Sequence, residues 1–413
     1  MNLSENLRIF VTRIKSYFVS DEVRNFVLFL KDFFPSENVY RLFGFTFFNK
    51  LQNNTNQKRQ RWQKGIIWTV ISIYLFFTIL TTIDFAIVIG KPGKFAETVE
   101  TFGWIAAHGL VLAKIFFFFY WKRDDLMKIV ERLDQHFPHS NREQLQFGVI
   151  KIYQNLKTLF RIILSVHAWN WLHFVYLPLI LFLIENELEL LHPIYFPVDP
   201  LQPLLYPIFF ILQTIDVLAM VFLFVSFETF TSALICITAM EFDVLAQKLS
   251  QIDPESDENA EVKLQRIIDA YNDLADIASE LEDIFSPLLL IQVFAGIFMI
   301  CVCIVFMFLP IRIYFMIKFV AGIITLLVQL FCICFYGEQL QISSTRVADE
   351  AYNCNWYGKN LKFRKIILLT MLRAQHAQKL TGWKFMDVGL PVFYWSLQTA
   401  HSYYSLLSGL YET

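Results

Sequence analysis

The sequence contains none of the motifs that mark the common enzyme classes. Over 413 residues there is no G-x-S-x-G nucleophile elbow, no H-E-x-x-H zinc motif, no Walker loop and no His/Asp cluster of the membrane acyltransferase kind. These absences argue against catalysis. We predict a protein with no catalytic activity, no cofactor and no bound metal.

Cysteine is scarce, and its placement argues against a disulfide framework. Each cysteine lies in an apolar run or on the side of the membrane predicted below to be cytoplasmic. The C-x-C pairs have no further ligands nearby, which indicates packing rather than metal binding. The six residues are Cys236, Cys301, Cys303, Cys332, Cys334 and Cys354.

Charged residues are also few. They make up 17% of the chain, whereas 56% of its residues are hydrophobic and 44 are Phe. One soluble core cannot bury so much apolar surface, so lipid must surround part of the protein. A bilayer core of about 30 Å needs roughly 20 apolar residues in a helix. Seven runs meet this requirement: Ile66 to Ile89, Thr101 to Tyr120, Phe160 to Ile184, Ile208 to Met240, Pro287 to Leu309, Ile313 to Tyr336 and Val388 to Leu410.

Basic residues are almost absent from alternate loops between these runs. One side of the membrane carries 29 Lys and Arg residues and the other carries three, and the third loop has none between Glu185 and Pro207. Because Lys and Arg are retained in the cytoplasm, the N-terminus is predicted to be cytoplasmic and the C-terminus extracellular. The fold class is therefore an all-α integral membrane protein with seven transmembrane helices.

Two segments outside the spans have the periodicity of amphipathic helices. They are VKLQRIIDAYNDLADIASELEDIF, before the fifth span, and LKFRKIILLTMLRAQHAQKL, before the last. Helices on the membrane surface are one interpretation. We favour a cytosolic helical anchor bundle, because the apolar stripes continue directly from the spans, and the fourth span is expected to extend through Leu249. The stripe of the first segment consists of Leu264, Ile267, Ile268, Tyr271, Leu274, Ile277, Leu281 and Ile284.

We treat residues 1–413 as a single domain with four parts. These are a cytoplasmic N-terminal region at 1–64, spans one to four at 65–240, spans five and six with the anchor helices at 241–386, and the last span at 387–413.

Polar residues inside the predicted spans are candidates for function. Each costs free energy in lipid, so each is expected to face the protein interior, a partner or water. They either satisfy a neighbouring helix or contact a ligand, and His167 lies one turn from Trp171, where the two could line a cavity. The set comprises Asp84, His108, Lys114, His167, Asp216 and Glu228.

The last span carries small and hydroxyl residues on one face. The residues of this face recur at a spacing of three to four: Thr399, Ser402, Ser405 or Leu406, and Gly409 or Leu410. Around a symmetry axis this face would form a narrow path for ions, whereas in a pair of helices it would allow close packing. The residues alone leave both interpretations open.

Several segments together resemble the insect odorant receptor family. They are GEQLQISSTRVADEAYNCNWY and RKIILLTMLRAQHAQKLTG in the sixth loop, DVGLPVFYWSLQTAHSYYSLLSGL in the last span, RLFGF before the first span and YFPVDP in the third loop. The resemblance extends across the whole chain, and the order of these segments and the inverted topology are specific to the family.

This resemblance implies a ligand-gated, non-selective cation channel in which four subunits surround one pore. The chain would be a tuning subunit that forms a heterotetramer with the odorant co-receptor in the plasma membrane of an olfactory neuron dendrite. Its other partners would be a small volatile organic ligand, membrane lipid and permeant cations, and no nucleic acid. The pore and gate would be lined by Thr399, Ser402, Leu406, Gly409 and Leu410.

The resemblance also implies an apolar odorant cavity walled by spans two, three, four and six. Placement by depth in those spans predicts the lining residues Phe102, Ala106, His167, Trp171, Phe174, Phe210, Gln213, Met316 and Phe319. A gustatory receptor channel of the same superfamily is the nearest alternative, and a membrane carrier or enzyme is the alternative from a different class. A carrier would need convergent ionisable residues at one depth, whereas those of this chain are dispersed.

Overall fold

The computed structural model of the chain describes residues 57–91, 94–186, 188–196, 200–252, 259–307 and 313–411. Within these ranges it leaves undescribed the side chains at 57–67, 70, 95–96, 302–303, 305–307, 313–315 and 407–411. The RLFGF segment and part of YFPVDP therefore lie outside the described residues, and so do the surroundings of Gly409 and Leu410.

Ten α-helices account for most of the described chain. In order they are α1 (Gln57–Val88), α2 (Phe95–Phe116), α3 (Arg123–His136), α4 (Asn141–Gln146), α5 (Val149–Glu185), α6 (Tyr206–Ser250), α7 (Ala260–Met307), α8 (Ile313–Asn353), α9 (Leu361–Ala374) and α10 (Leu390–Tyr411). A π-helical turn, Phe117–Trp121, continues α2, and a 3₁₀ turn, Trp356–Gly358, precedes α9.

Six of these helices, α1, α2 and α5 to α8, are long and apolar enough to cross a membrane. They coincide with the first six predicted spans, and the seventh predicted span coincides with α10. The 22 residues of α10 are sufficient in length. Ser, Thr, Tyr and His are interspersed among its apolar residues, so α10 is less uniformly apolar than α6.

The C-terminal half of α6 forms the centre of a helical bundle with α7 and α8. Every residue from Val225 to Phe242 is buried, as expected for a helix that is apolar on all sides. The predicted stripe of the segment before the fifth span packs into the same bundle, with Ile267 and Ile268 half-buried against the core and the other six members buried. This stripe therefore faces protein, and the membrane-surface interpretation is wrong for it.

Helix α3 was not expected from the sequence, which showed only a charged second loop. Its apolar face is buried in the bundle, and its charged face reaches α7. There Arg132 donates hydrogen bonds to Asp273 at 2.5 Å and to Glu280 at 2.7 Å. The helix was missed because its 14 residues are too short and too polar for a span, although they are clearly amphipathic.

A small β-hairpin, also not predicted, connects α9 to α10. Strand β1 (Thr381–Gly382) pairs antiparallel with β2 (Met386–Asp387). The turn places Trp383 at φ 49° and Lys384 at φ 57°. Glycine and asparagine usually occupy such positions, so no turn signal was present in the sequence. The backbone N–H of Trp383 donates to Ser286 Oγ on α7 at 2.5 Å, which holds the hairpin in place.

Helix α10 begins in close contact with α8. A Cβ atom at Gly337 of α8 would overlap the backbone carbonyl oxygen of Val388, which lies just before α10. The approach of the last helix to the bundle thus depends on the absence of a side chain at this position.

We expect Gly337→Ala to destabilise the protein by about 1–3 kcal/mol, because the backbone at Val388 must move away to accommodate the methyl group. The thermal unfolding midpoint of the purified protein in detergent measures this effect. Gly322→Ala is the matched control on the same helix, where an added Cβ meets nothing within 4 Å. Equal midpoints for the two variants would show that Gly337 does not limit the approach of α10.

Candidate functional site

A cavity of about 260 Å³ lies between α2, α5, α6, α7 and α8. A cavity of about 150 Å³ is large enough to bind benzene, so this volume suits a small organic molecule. Most of the lining is apolar, and its aromatic members are Trp104, Trp171, Phe174, Phe224 and Phe319. The cavity therefore combines a large aromatic surface with few polar groups, as in small-molecule sites generally.

Five of the nine residues predicted for the ligand site line this cavity. They are Ala106, His167, Trp171, Phe174 and Phe319. All five come from spans two, three and six, so the structure brings together side chains from three separate parts of the chain.

The other four predicted residues point elsewhere. Phe102 is 39% exposed and packs against the ring of Phe298. Phe210 is half-buried next to Tyr206 and does not line the cavity. Gln213 is buried and hydrogen-bonded to a loop, and Met316 is half-buried outside the lining. Position along a span does not fix the direction in which a side chain leaves its helix.

The wall formed by α7 was missing from the expected arrangement, which used spans two, three, four and six only. Four residues of α7 also line the cavity: Gln292, Ala295, Gly296 and Met299. Small residues at 295 and 296 let the cavity reach the α7 backbone. This cavity therefore has five walls, one more than the four expected for the ligand site.

A buried lysine marks one end of the cavity, here termed the loop end. Lys318 Nζ donates a hydrogen bond to the backbone carbonyl of Leu191, in the loop between α5 and α6, at 3.1 Å. The same Nζ lies 3.6 Å from Glu100 and 5.5 Å from the centroid of the Phe174 ring. The loop end thus presents a charge pair and a cation–π contact to anything bound there.

A second buried ion pair marks the far end. Lys114 Nζ lies 2.6 Å from Glu228 Oε1, and both side chains are almost fully buried. Gln292 donates a further hydrogen bond to the same oxygen at 2.9 Å. Since Glu100 and Lys114 are separated by nearly four turns of α2, the two polar ends lie roughly 20 Å apart.

His167 and Gln329 form the polar contact between these ends. The His167 Nδ1 atom lies 2.8 Å from the carbonyl oxygen of Ile163 and therefore carries the proton. The unprotonated Nε2 accepts a hydrogen bond from Gln329 Nε2 at 2.8 Å. Both side chains line the cavity, so the middle of the site offers a neutral, hydrogen-bonded pair beside Trp171.

Sequence reasoning missed the polar groups of the loop end. Glu100 stands at the edge of its span and Lys318 near the start of another, where charged side chains are commonly solvated. Gln292 and Gln329 are uncharged and were not singled out. A polar residue within an otherwise apolar run was the only available signal, and it does not identify the partner.

A separate polar cluster lies behind the cavity wall. His108 Nε2 is 2.9 Å from Asp216 Oδ2, and His192 Nε2, from the α5–α6 loop, is 3.8 Å from the same oxygen. The His192 ring stacks on Trp104, which lines the cavity, at 4.4 Å. Burial, and then the neighbouring His108, hold the pKa of His192 well below its ordinary value. His192 is therefore neutral near pH 7.

The predicted pore residues run from the middle of α10 to its C-terminal end, and none of them lines the cavity. From His401 to Leu406 every residue is exposed in the isolated chain, and Leu406 is 61% exposed. The hydroxyls of Thr399 and Ser402 donate to backbone carbonyls four residues earlier. Such local bonds satisfy hydroxyl groups within a helix and leave this face available to a neighbour or to water.

Comparisons with known proteins all match this chain to odorant receptors. The family model described as 7tm Odorant receptor matches residues 94–401. The chain is similar to Odorant receptor 85c of Drosophila melanogaster, with 22% identity over 376 residues that cover 87% of this chain and 94% of the relative. It is also similar to Odorant receptor 22c of the same species, with 27% identity over 298 residues that cover 68% and 74%.

A solved structure has the same fold. The insect olfactory receptor OR5 from Machilis hrabei, in complex with eugenol, superposes with a TM-score of 0.79 over 92% of this chain and 98% of that one. Sequence identity is 13%, so this likeness concerns the fold alone.

Proposed function

The chain belongs to the 7tm odorant receptor family, and on this premise we propose that it is one subunit of an odorant-gated, non-selective cation channel. It is a multi-pass membrane receptor with the seven-helix fold, and its relatives are receptors rather than enzymes. The enzyme alternative is thereby excluded. The gustatory alternative loses its support, because the matching family model describes odorant receptors.

The observation that carries the proposal is the apolar cavity between five helices. A volatile that buries about 200 Å² of apolar surface there gains roughly 5 kcal/mol at 25 cal/mol per Å², which corresponds to submillimolar binding. One or two polar contacts then set the preference between ligands. Lys318 at the loop end and the His167–Gln329 pair in the middle are the groups suited to this role.

The exposed half of α10 supports the pore. Hydroxyl residues followed by Leu406 on one face suit a path for cations that is closed by a ring of apolar side chains, which blocks ions by dewetting. In the open state the last helices tilt outward, and Leu406 leaves the axis. The ligand binds the open state with higher affinity than the closed state, so ligand binding shifts the population toward the open state.

The bundle of α6 to α9 supports assembly into a tetramer with an odorant co-receptor. Helix α9 buries one face against α8, while Leu368, Leu369 and Leu372 on its other side are exposed. An exposed leucine face beside a rigid bundle suits contact between subunits. The proposed orientation, with the bundle in the cytoplasm of an olfactory neuron dendrite, follows from the distribution of Lys and Arg.

The cavity is tested by filling it. We expect Ala106→Phe to raise the odorant concentration for half-maximal current at least about tenfold, since losing 1.4 kcal/mol of binding has that effect. The measurement is whole-cell current with the co-receptor, using a panel of volatile aromatics and heterocycles.

Ala113→Phe is the matched control, with the same change on an exposed position of the same helix. It should leave the dose response unchanged. If both variants reach the surface and respond like the wild type, the cavity is not the odorant site. If the wild type itself gives no current with the co-receptor, the channel proposal fails.

A further inference from the structure

Three side chains from separate elements meet in the cluster behind the cavity wall. His108 comes from α2, Asp216 from α6 and His192 from the α5–α6 loop, and none is more than 1% exposed. One nitrogen or oxygen of each lies within 4.8 Å of those of the other two. Two imidazoles and a carboxylate in one buried space form the donor set of a transition-metal site.

Hydrogen-bond accounting shows that this cluster is incomplete. His108 Nδ1 is 2.8 Å from the carbonyl oxygen of Trp104 and must donate to it. In a neutral ring His108 Nε2 is then an acceptor, yet it faces the carboxylate of Asp216, which is also an acceptor. A proton or a metal ion must therefore lie between these two atoms.

A proton on His108 satisfies only part of the cluster. Among the described residues, His192 Nε2, Asp216 Oδ1 and the buried hydroxyl of Tyr74 have no hydrogen-bond partner. Buried groups of this kind are nearly always paired. A divalent ion at this position would ligate His192 and Asp216 as well as His108.

We propose that His108, His192 and Asp216 bind one divalent transition-metal ion of the Zn²⁺ class. Zinc bonds of about 2.0 Å in tetrahedral geometry separate the ligand atoms by roughly 3.3 Å. This separation falls between the observed 2.9 and 3.8 Å from Asp216 Oδ2 to the two histidines. The bond from His108 Nδ1 to the Trp104 carbonyl orients the ring as outer-shell partners do in zinc sites.

A neighbouring cation already has its own partners. The nearby Lys318 is held by Glu100 at 3.6 Å and by the Leu191 carbonyl. The hydroxyl of Tyr74, whose ring lies 5.9 Å from that of His108, or a water completes the coordination. The metal would fasten the loop to α2 and α6 directly behind Trp104, which lines the cavity.

The loop is docked independently of the His192 ring, which makes His192 the residue to mutate. Gln213 accepts a hydrogen bond from the Leu191 N–H at 3.0 Å and donates one to the His192 carbonyl at 2.9 Å. His192→Ala removes one ligand and leaves both of these bonds in place. His173→Ala is the matched control, since His173 is also buried, on α5, and lies outside the cluster.

The test uses the purified full chain in detergent, freed of metal and then titrated with Zn²⁺ and, for spectroscopy, Co²⁺. We expect one ion per chain and visible Co²⁺ ligand-field absorption in the wild type and in His173→Ala. Loss of an outer-shell partner lowers the metal affinity of a site by roughly 10- to 100-fold. Because His192 is proposed as a direct ligand, His192→Ala should lower the affinity for the ion by more than this. Asp216→Asn should abolish binding if it folds.

A wild type that is monodisperse but retains no metal would overturn the proposal and leave a cluster satisfied by a proton and water. Unchanged affinity in His192→Ala would overturn it as well. The readout is metal content, so it is independent of any odorant response and of the channel function proposed above.

Discussion

Replacing Lys114 by Met is expected to destabilise the receptor by about 3–5 kcal/mol, because it leaves Glu228 buried without its counter-ion. The two side chains are 6% and 2% exposed and lie 2.6 Å apart. After the change Glu228 retains only the amide of Gln292 and must either stay charged in an apolar site or take up a proton, and both cost free energy. The thermal unfolding midpoint and the surface yield report the loss.

Two further variants distinguish the loss of this buried ion pair from the loss of a lysine charge in general. Lys94→Met breaks the exposed pair with Glu97, also short at 2.5 Å, and should cost no more than about 1 kcal/mol. Lys114→Met combined with Glu228→Gln removes both charges and should recover most of the stability. If Lys114→Met costs no more than Lys94→Met, the buried pair is not held as tightly as its geometry indicates.

The spans were predictable because a helix in lipid must be apolar over a fixed length. Ile208 to Met240, for example, needs no tertiary information to be identified, and it falls within α6. The stripe from Leu264 to Ile284 was equally clear, because 3.6-residue periodicity shows which side of a helix is buried. The hairpin at Thr381 could not be predicted from the sequence, because its turn is stabilised by contacts with α7 rather than by glycine or asparagine.

The site was predictable only in part, for a related reason. His167 and Trp171 were identified because a polar residue inside a span is conspicuous. Lys318 was missed because its partner Glu100 lies far away in the sequence, and only the packing of α2 against the rest of the bundle brings them together. Pairing between distant residues is a tertiary property, whereas hydropathy is a local one.

Leu406→Ala is expected to raise the current without odorant severalfold and to change ion permeability, if α10 lines the pore as proposed. A ring of leucines excludes water from a narrow path, and shorter side chains admit water and ions. Thr399 and Ser402 lie within about 40° of Leu406 around the helix, so the three share one face. The measurement is whole-cell current with the co-receptor, before and after ion substitution.

Leu397→Ala is the matched control for this prediction. Leu397 is also an exposed leucine of α10, but it lies about 180° around the helix from Leu406. The same truncation there removes apolar surface without touching the proposed path, so basal current and permeability should remain those of the wild type. An effect of Leu397→Ala as large as that of Leu406→Ala, or no effect of Leu406→Ala at normal surface expression, would place the pore elsewhere. In that event the hydroxyl face of α10 would be explained by helix packing, the interpretation that the sequence left open.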